Sequence, residues 1–298
     1  GLARSKASDV ERFIFVGTTG RSGTMTLQAI LGGVPGVVAL HEPLPAMRAA
    51  RQALNRNDAR AAHSLWKAYK QQAIYLAAVG HRWYVETNHM FITTFCNFAV
   101  EEFADRLSVI HLTRNPRATA RSCLFSGMIP KEEASWTPSP SAADNALPMK
   151  RELGEDGEFH HPYYRCLWYW YETEARIMRF ARQHPTVRIV PIRTEDLNDS
   201  RRMAECLQES GVPADRLALE HRGGKKENSR PPRTERLDGV TSEKAGVFEI
   251  ECRSRLKRLY PEWGSLHDLE PDNGLTGDAS GSAQAGAGRT LRTGDGTA

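Results

Sequence analysis

The stretch Gly17-Thr18-Thr19-Gly20-Arg21-Ser22-Gly23-Thr24 decides the fold predicted for this chain. It ends the short apolar run 12–17, which is typical of a buried parallel strand, and it leads into residues 25–31, which suit a helix. Small residues let backbone N–H groups close around an anion, and a helix N-terminus and Arg21 add positive charge. The pattern predicts a strand, a phosphate-binding turn and a helix. The alternative is a glycine-rich turn that binds nothing.

This turn differs from the phosphate-binding loop of nucleoside triphosphatases, which needs a lysine directly after its last glycine. Here Thr24 follows Gly23. The difference argues against an ordinary kinase or ATPase. A small-molecule kinase with a divergent loop is kept as an alternative function.

Apolar runs and helical segments alternate along the rest of the chain. Further strands are predicted at residues 36–40, 83–87, 107–113 and 187–192, and helices at 46–79, 117–125, 163–182 and 201–210. Residues 127–162 are rich in Pro, Ser, Gly and charge and are predicted to be a long loop. The alternation predicts an α/β fold with a mostly parallel sheet flanked by helices on both faces. Ligands of such sheets bind at the carboxyl ends of the strands.

A second candidate segment, Arg114-Asn115-Pro116 and the residues up to Ser122, follows the predicted strand 107–113. Proline favours the first position of a helix, so Arg114 lies just before a helix and Ser122 about two turns along it. The two side chains reach one anion only if the loop folds back toward the helix. The alternative is a solvated basic helix start.

Together the two segments resemble the PAPS-dependent sulfotransferase family, in which PAPS is 3′-phosphoadenosine 5′-phosphosulfate. Thr19 to Thr24 is similar to the family's T-G-R-S-G-T loop for the 5′-phosphosulfate, and Arg114 with Ser122 matches its Arg and Ser eight positions apart. The helix and strand within 168–193 and the following Thr194-Glu195-Asp196-Leu197 are similar to a further family segment ending in Y-E-D-L. The resemblance covers residues 12 to about 230 and implies a P-loop-like three-layer sandwich.

The resemblance also implies the donor-binding residues and the donor. PAPS would be held by Gly20, Arg21, Ser22, Gly23, Thr24, Met25, Arg114 and Ser122, and no metal would be required. The sequence departs from the family at Met25-Thr26 and at Thr194, where other members often carry threonine or an aromatic residue and tyrosine respectively. The adenine-stacking residue is therefore unassigned. Residues 222–226 are a possible further phosphate contact.

Sulfuryl transfer to a hydroxyl needs a base and a fixed cation. Arg21 supplies the cation, and Glu42 at the end of the second strand is the first candidate for the base, with adjacent His41 ranked behind it. His41 is expected to point to the opposite side if the strand continues. His89 after the third strand is the other candidate base. Glu42 pairing with Arg21 or Arg48 is the structural alternative.

Composition limits the possible partners. Lys plus Arg exceed Asp plus Glu by 40 − 36 = 4, too few for a polybasic nucleic-acid binder. We expect an acceptor bearing a hydroxyl or amine, namely a carbohydrate, a peptide or a small metabolite. A catalytically silent nucleotide-binding interaction protein is the alternative from a different class.

The sequence also suggests a compartment and a domain division. No run approaches the roughly 20 apolar residues of a membrane span, and the five scattered cysteines suggest a reducing compartment. We expect a cytoplasmic protein, with a lumenal or Golgi catalytic domain trimmed of its anchor as the alternative. Residues 1–270 are expected to form one domain, and 271–298, with almost no apolar bulk, a disordered tail.

Overall fold

The computed structural model describes residues 4–5, 7–128, 138–154, 157–213 and 240–263. The predicted tail 271–298 and the basic stretch 222–226 lie outside these residues. Within them, a five-stranded parallel sheet forms the centre of the molecule, with strand order β2-β3-β1-β4-β5. The strands are β1 (Arg12–Gly17), β2 (Val37–His41), β3 (Trp83–Thr87), β4 (Leu107–Thr113) and β5 (Arg188–Arg193). Each predicted strand is confirmed within about a residue at its ends.

Helices connect the strands. They are α1 (Thr24–Leu31), α2 (Arg48–Asn55), α3 (Ala59–Leu65), α4 (Gln71–Ala78), α5 (Cys96–Phe103), α6 (Pro116–Ser126), α7 (Lys150–Leu153), α8 (Pro162–Gln183), α9 (Ser200–Ser210) and α10 (Ser242–Leu259). Two π-helices, Trp66–Lys70 and Phe91–Phe95, precede α4 and α5. The segment predicted as one or two helices over 46–79 is thus three α-helices and a π-helix, and the loop predicted at 127–162 contains the short α7.

Helices cover both faces of the sheet, as the sequence predicts. On one face α1 and α9 pack through Leu27 and Leu207 against strand residues such as Ile14 and Ile110. On the other face aromatic residues fill the core, and Phe15 stacks on Phe91 with ring centroids 4.8 Å apart. A third apolar cluster joins α6, α8 and α10. The five cysteines are unpaired thiols.

The strand order defines where a ligand fits. The connection after β1 runs toward the β2 edge, whereas the connection after β4 runs toward the β5 edge. β1 and β4 are neighbours, with Gly17 opposite His111. A topological switch point therefore lies between their carboxyl ends, where open α/β sheets bind ligands. The loops that begin there carry Arg21 and Arg114.

Candidate active site

The loop after β1 is closed by its own side chains. The Thr19 and Ser22 hydroxyls are 2.8 Å apart, and Ser22 Oγ also donates to the Thr19 carbonyl oxygen at 3.1 Å. Gly23 precedes α1 with φ +90°, in the left-handed region that favours glycine. No side chain caps α1, and its first turn holds no acidic residue. Its N-terminal backbone N–H groups and positive dipole end therefore suit an anion.

Arg21 joins this loop to the one after β4. Its own backbone is left-handed, with φ +71°, and its Nε donates to Ser122 Oγ at 3.0 Å. Arg114 Nη1 donates to the Arg21 carbonyl oxygen at 2.7 Å. Arg21 thus contacts Ser122 through its Nε and Arg114 through its carbonyl oxygen. Arg21 lies between the two as a shared partner.

The sequence of the loop after β4 explains its shape. Asn115 caps α6 by accepting from the Ala118 amide at 3.2 Å, and Pro116 occupies the first helical turn. Trp170 Nε1 on α8 donates to the Arg114 carbonyl oxygen at 2.9 Å. The Arg114 backbone is consequently held both by the cap and by an aromatic helix behind it.

The two guanidinium groups create a positive site. Burial and the charge of Arg21 lower the pKa of Arg114, although Glu195 acts in the opposite direction. Arg114 still remains protonated, as arginine does in proteins. Within the described part of the chain, no carboxylate forms an ion pair with either arginine. The site therefore has two like charges in a partly desolvated place, which an anionic ligand would neutralise.

Glu42 and His89 form the acid–base part of the site. β2 ends at His41, and Glu42 leaves the strand with φ +45°. Glu42 Oε1 is 2.6 Å from His89 Nδ1. The two candidate bases, 47 positions apart in the chain, are thus direct partners. Of the two arginines considered as structural partners of Glu42, Arg48 acts on it through its charge, whereas the direct hydrogen-bond partner of Glu42 is His89.

His41 was expected to point away from Glu42 only if the strand continued through both residues. Since β2 ends at His41, that condition is not met. His41 Nδ1 lies 3.0 Å from Thr87 Oγ1, and its Nε2 lies 4.0 Å from Glu42 Oε1. Burial lowers the pKa of His41 more than Glu42 raises it. His41 is therefore a neighbour of Glu42 that its contact with Thr87 ties to β3, and its pKa lies below that of an ordinary histidine.

The protonation of the Glu42–His89 pair follows from its surroundings. Burial raises the pKa of the Glu42 carboxyl. The hydrogen bond and charge of His89 and the charges of His41 and Arg48 outweigh burial, so this pKa lies below that of an ordinary glutamate. Glu42 is therefore ionised at neutral pH, and Nδ1 of His89 must be the donor in their hydrogen bond.

One cavity of about 240 Å³ joins the two halves of the site. Its lining includes Gly20 and Arg21 from the loop after β1, Glu42, and His89. Met128 closes one wall and packs so tightly over Gly20 that a Cβ atom at this position would collide with it. The remaining residues that line the cavity are Ala46, Arg48, Asn88, Met90 and Ser126. The cavity thus has the Gly20–Arg21 loop on one side and the Glu42–His89 pair on the other.

Sequence reasoning missed several residues that hold this site. Tyr169, predicted only as part of an aromatic core helix, is a hydrogen-bond partner of the Gly20 backbone; burial raises its pKa, and the charge of Glu42 adds to this. Trp170 holds Arg114, and Lys70 and Glu86 lie behind the Glu42 loop. The only sequence signal for the first two was the density of aromatic residues in α8. No sequence signal pointed to Lys70.

The residues that the structure describes contain no cluster of three or more His, Cys, Asp or Glu side chains arranged for a metal ion. Nor does this part of the chain include a helix with the length and apolarity needed to cross a membrane.

Comparison with known proteins gives matches among solved structures. No protein-family model and no curated protein sequence matches the chain. It is similar to the sulfotransferase domain from the curacin biosynthetic pathway, with 17% identity, a TM-score of 0.45, and coverage of 74% of this chain and 81% of that one. It is similar to the sulfotransferase domain from the Synechococcus PCC 7002 olefin synthase, with 17% identity, a TM-score of 0.46, and coverage of 82% and 88%.

A third similar structure is the sulfotransferase from Alicyclobacillus acidocaldarius, with 15% identity, a TM-score of 0.43, and coverage of 83% of this chain and 94% of that one. All three proteins are sulfotransferases, the class that the sequence motifs resemble. The likeness is one of α/β fold.

Proposed function

We propose that this protein is a sulfotransferase that moves a sulfuryl group from PAPS to an acceptor hydroxyl or amine. The observation that carries the proposal is the single cavity lined both by the Gly20–Arg21 loop and by the Glu42–His89 pair. Group transfer needs an anion-binding side and a proton-accepting side within reach of the same atoms. This cavity has both.

The donor side fits an anion with several phosphate oxygens. Residues 20–25 combine the uncapped N-terminus of α1 with Arg21, which suits the 5′-phosphosulfate, and Arg114 with Ser122 suits the 3′-phosphate. A sulfate ester carries less charge than a phosphate ester. Fixed arginines and backbone donors can therefore neutralise the charge that develops on the leaving phosphate.

In the transfer step the acceptor oxygen or nitrogen attacks sulfur. A bond from the acceptor to sulfur forms while the bond from sulfur to the 5′-phosphate oxygen breaks, and the electron pair stays on that phosphate. The acceptor proton passes to the base. The products are the sulfated acceptor, 3′-phosphoadenosine 5′-phosphate and a proton. Since there is little covalent chemistry for the protein to do, positioning and charge neutralisation carry most of the catalysis, as in phosphoryl transfer.

Of the two candidate bases, His89 is the better proton acceptor. One oxygen of the Glu42 carboxylate already accepts the hydrogen bond of His89 Nδ1, so Glu42 is committed to the imidazole ring. A carboxylate bonded to one imidazole nitrogen orients the ring and stabilises the imidazolium that forms when the other nitrogen takes a proton. We therefore assign proton transfer to His89 and orientation of its ring to Glu42.

The test is formation of 3′-phosphoadenosine 5′-phosphate from PAPS in the presence of EDTA, with phenolic, sugar, peptide and amine acceptors in parallel. We expect turnover by the wild type with at least one acceptor class. His89→Asn should lower kcat by about a hundredfold or more and Glu42→Gln by roughly tenfold or more, because general-base catalysis contributes on the order of 10² to 10⁴. Arg117→Ala is the matched control, since Arg117 pairs with Glu249 at 2.7 Å.

The other functions give different results in the same assay. Production of ADP from Mg-ATP with no turnover of PAPS would identify a divergent kinase. Tight binding of 3′-phosphoadenosine 5′-phosphate without turnover of PAPS with any acceptor class would favour a catalytically silent nucleotide-binding protein. Either outcome would contradict the proposal.

A further inference from the structure

A buried ion pair lies behind the Glu42–His89 pair. Lys70 Nζ is 2.7 Å from Glu86 Oε1, and the two side chains are only 1% and 0% exposed. Glu86 belongs to β3, which lies between β2 and β1 in the sheet, and Lys70 is the last residue of the first π-helix. Neither lines the cavity between the donor loop and His89. The pair therefore does not meet the substrate directly.

Each member of this ion pair holds the backbone or side chain next to one member of the catalytic pair. Lys70 Nζ donates to the Pro43 carbonyl oxygen at 3.0 Å, directly after Glu42. Asn88 Nδ2, directly before His89, donates to Glu86 Oε1 at 2.8 Å. One carboxylate oxygen and one ammonium group thus tie together the two chain segments that carry the candidate base and its orienting carboxylate.

The backbone around this pair has an uncommon form. The first π-helix ends at Lys70, and the second ends at Phe95, whose ring faces Lys70 Nζ at 5.5 Å from its centroid. Trp66 and Phe95 stack with centroids 5.6 Å apart, so the two π-helices pack against each other. π-helical turns are rare and occur frequently at functional sites. Here the first π-helix ends at Lys70, and the second begins at Phe91, two residues after His89.

Stability alone is a weak reason for such a pair. Removing two charges from water is costly for each ion, and replacing both members of a buried pair by uncharged groups is often neutral or stabilising. The contacts to Pro43 and Asn88 supply a different reason, because they fix the spacing of Glu42 and His89. A shift of about 1 Å in a catalytic group can cost on the order of a hundredfold in rate.

We propose that Lys70 and Glu86 are positioning residues that hold Glu42 within hydrogen-bonding distance of His89. The consequence for rate rests on the proposed sulfotransferase function, whereas the consequence for the Glu42–His89 hydrogen bond does not. The two can therefore be tested separately.

The experiment compares Lys70→Met/Glu86→Gln with Lys67→Met/Glu102→Gln in the full chain. Lys67 lies on the same π-helix and pairs with Glu102 at 2.9 Å, so the control makes the same chemical changes without touching Pro43 or Asn88. The first readout is the NMR signal of the His89 Nδ1 proton, which a hydrogen bond to a carboxylate moves far downfield. His89→Asn assigns that signal by its absence.

The second readout compares the change in kcat with the change in affinity for 3′-phosphoadenosine 5′-phosphate. In the Lys70→Met/Glu86→Gln variant we expect the downfield signal to be lost and kcat to fall by roughly ten- to a hundredfold, with the affinity for 3′-phosphoadenosine 5′-phosphate unchanged. The Lys67→Met/Glu102→Gln control should keep the signal, the rate and the affinity. Glu86→Gln alone, which preserves the side-chain shape, should give a smaller loss in the same direction.

Several results would overturn the proposal. One is a folded Lys70→Met/Glu86→Gln variant that keeps both the downfield signal and kcat. Another is an equal loss in the control, which would indicate general loosening. Failure of Lys70→Met/Glu86→Gln and Glu86→Gln to fold while the control folds would assign the pair to fold stability alone. If the wild type does not turn over PAPS, the proposed function fails, and the NMR signal still decides the positioning role.

Discussion

His111 is a single residue whose charge contributes to the stability of the fold. Its Nε2 lies 2.7 Å from Glu174 Oε2 on α8, in the interior beneath the carboxyl end of β4. Burial lowers the pKa of His111, but the charge and hydrogen bond of Glu174 outweigh it and raise the pKa above that of an ordinary histidine. The folded state therefore binds this proton more tightly than the unfolded state.

This raised pKa predicts how stability changes with pH. The contribution of the His111–Glu174 pair is fully present below about pH 6.5, the pKa in the unfolded chain, and is lost as pH rises through the folded-state pKa. Urea unfolding of wild type and His111→Gln between pH 5.5 and 9 measures it. The difference in free energy of unfolding should be largest at the acidic end and shrink as pH rises. A difference that is constant with pH would contradict the prediction.

At the scale of elements, the N-terminus of α6 connects helix capping to the proposed donor site. Asn115 caps this helix, and the preceding residue is Arg114, whose side chain donates to the donor loop. Removing an N-cap side chain typically costs about 1 kcal/mol. Here the loss would also free the Arg114 backbone to move.

We therefore expect Asn115→Ala to lower both stability and ligand affinity, whereas removing the cap of another helix should lower stability alone. Asp58 caps α3 by accepting from the Ala61 amide at 2.9 Å and makes the matched control as Asp58→Ala. Both variants should lose about 1 kcal/mol in chemical denaturation. Only Asn115→Ala should weaken binding of 3′-phosphoadenosine 5′-phosphate, by several-fold. Equal affinity in the two variants would mean that the cap does not hold Arg114 in position.

At the scale of the whole molecule, the sheet was predictable because each strand is a short apolar run in a chain with regular turns. The helices at 91–103 and 242–259 were not predicted. Residues 91–95 are buried throughout and show no amphipathic stripe. The buried apolar residues of α10 pack in one cluster with those of α8, a contact between segments distant in the sequence. Tertiary packing decides both, and a single sequence does not contain it.

The sequence was enough to predict which residues belong to the candidate site. It was not enough to predict how these residues contact one another. Arg21, Arg114 and Ser122 follow from short motifs, but their mutual contacts depend on β1 and β4 being neighbours. Likewise, Glu42 and His89 were separate candidates until the pairing of His41 with Thr87 brought their loops side by side. Register between strands distant in sequence supplies this information. A buried lysine such as Lys70 has no sequence pattern at all.

The central claim is that the switch point between β1 and β4 binds the sulfuryl donor through Arg21 and Arg114. Calorimetric titration with 3′-phosphoadenosine 5′-phosphate in the absence of magnesium tests it most directly, with Arg114→Ala and Arg117→Ala as the variant and its control, and ATP as the competing ligand. We predict micromolar binding by wild type and Arg117→Ala, loss in Arg114→Ala, and much weaker binding of ATP. No binding by the wild type, or a preference for Mg-ATP, would contradict the account.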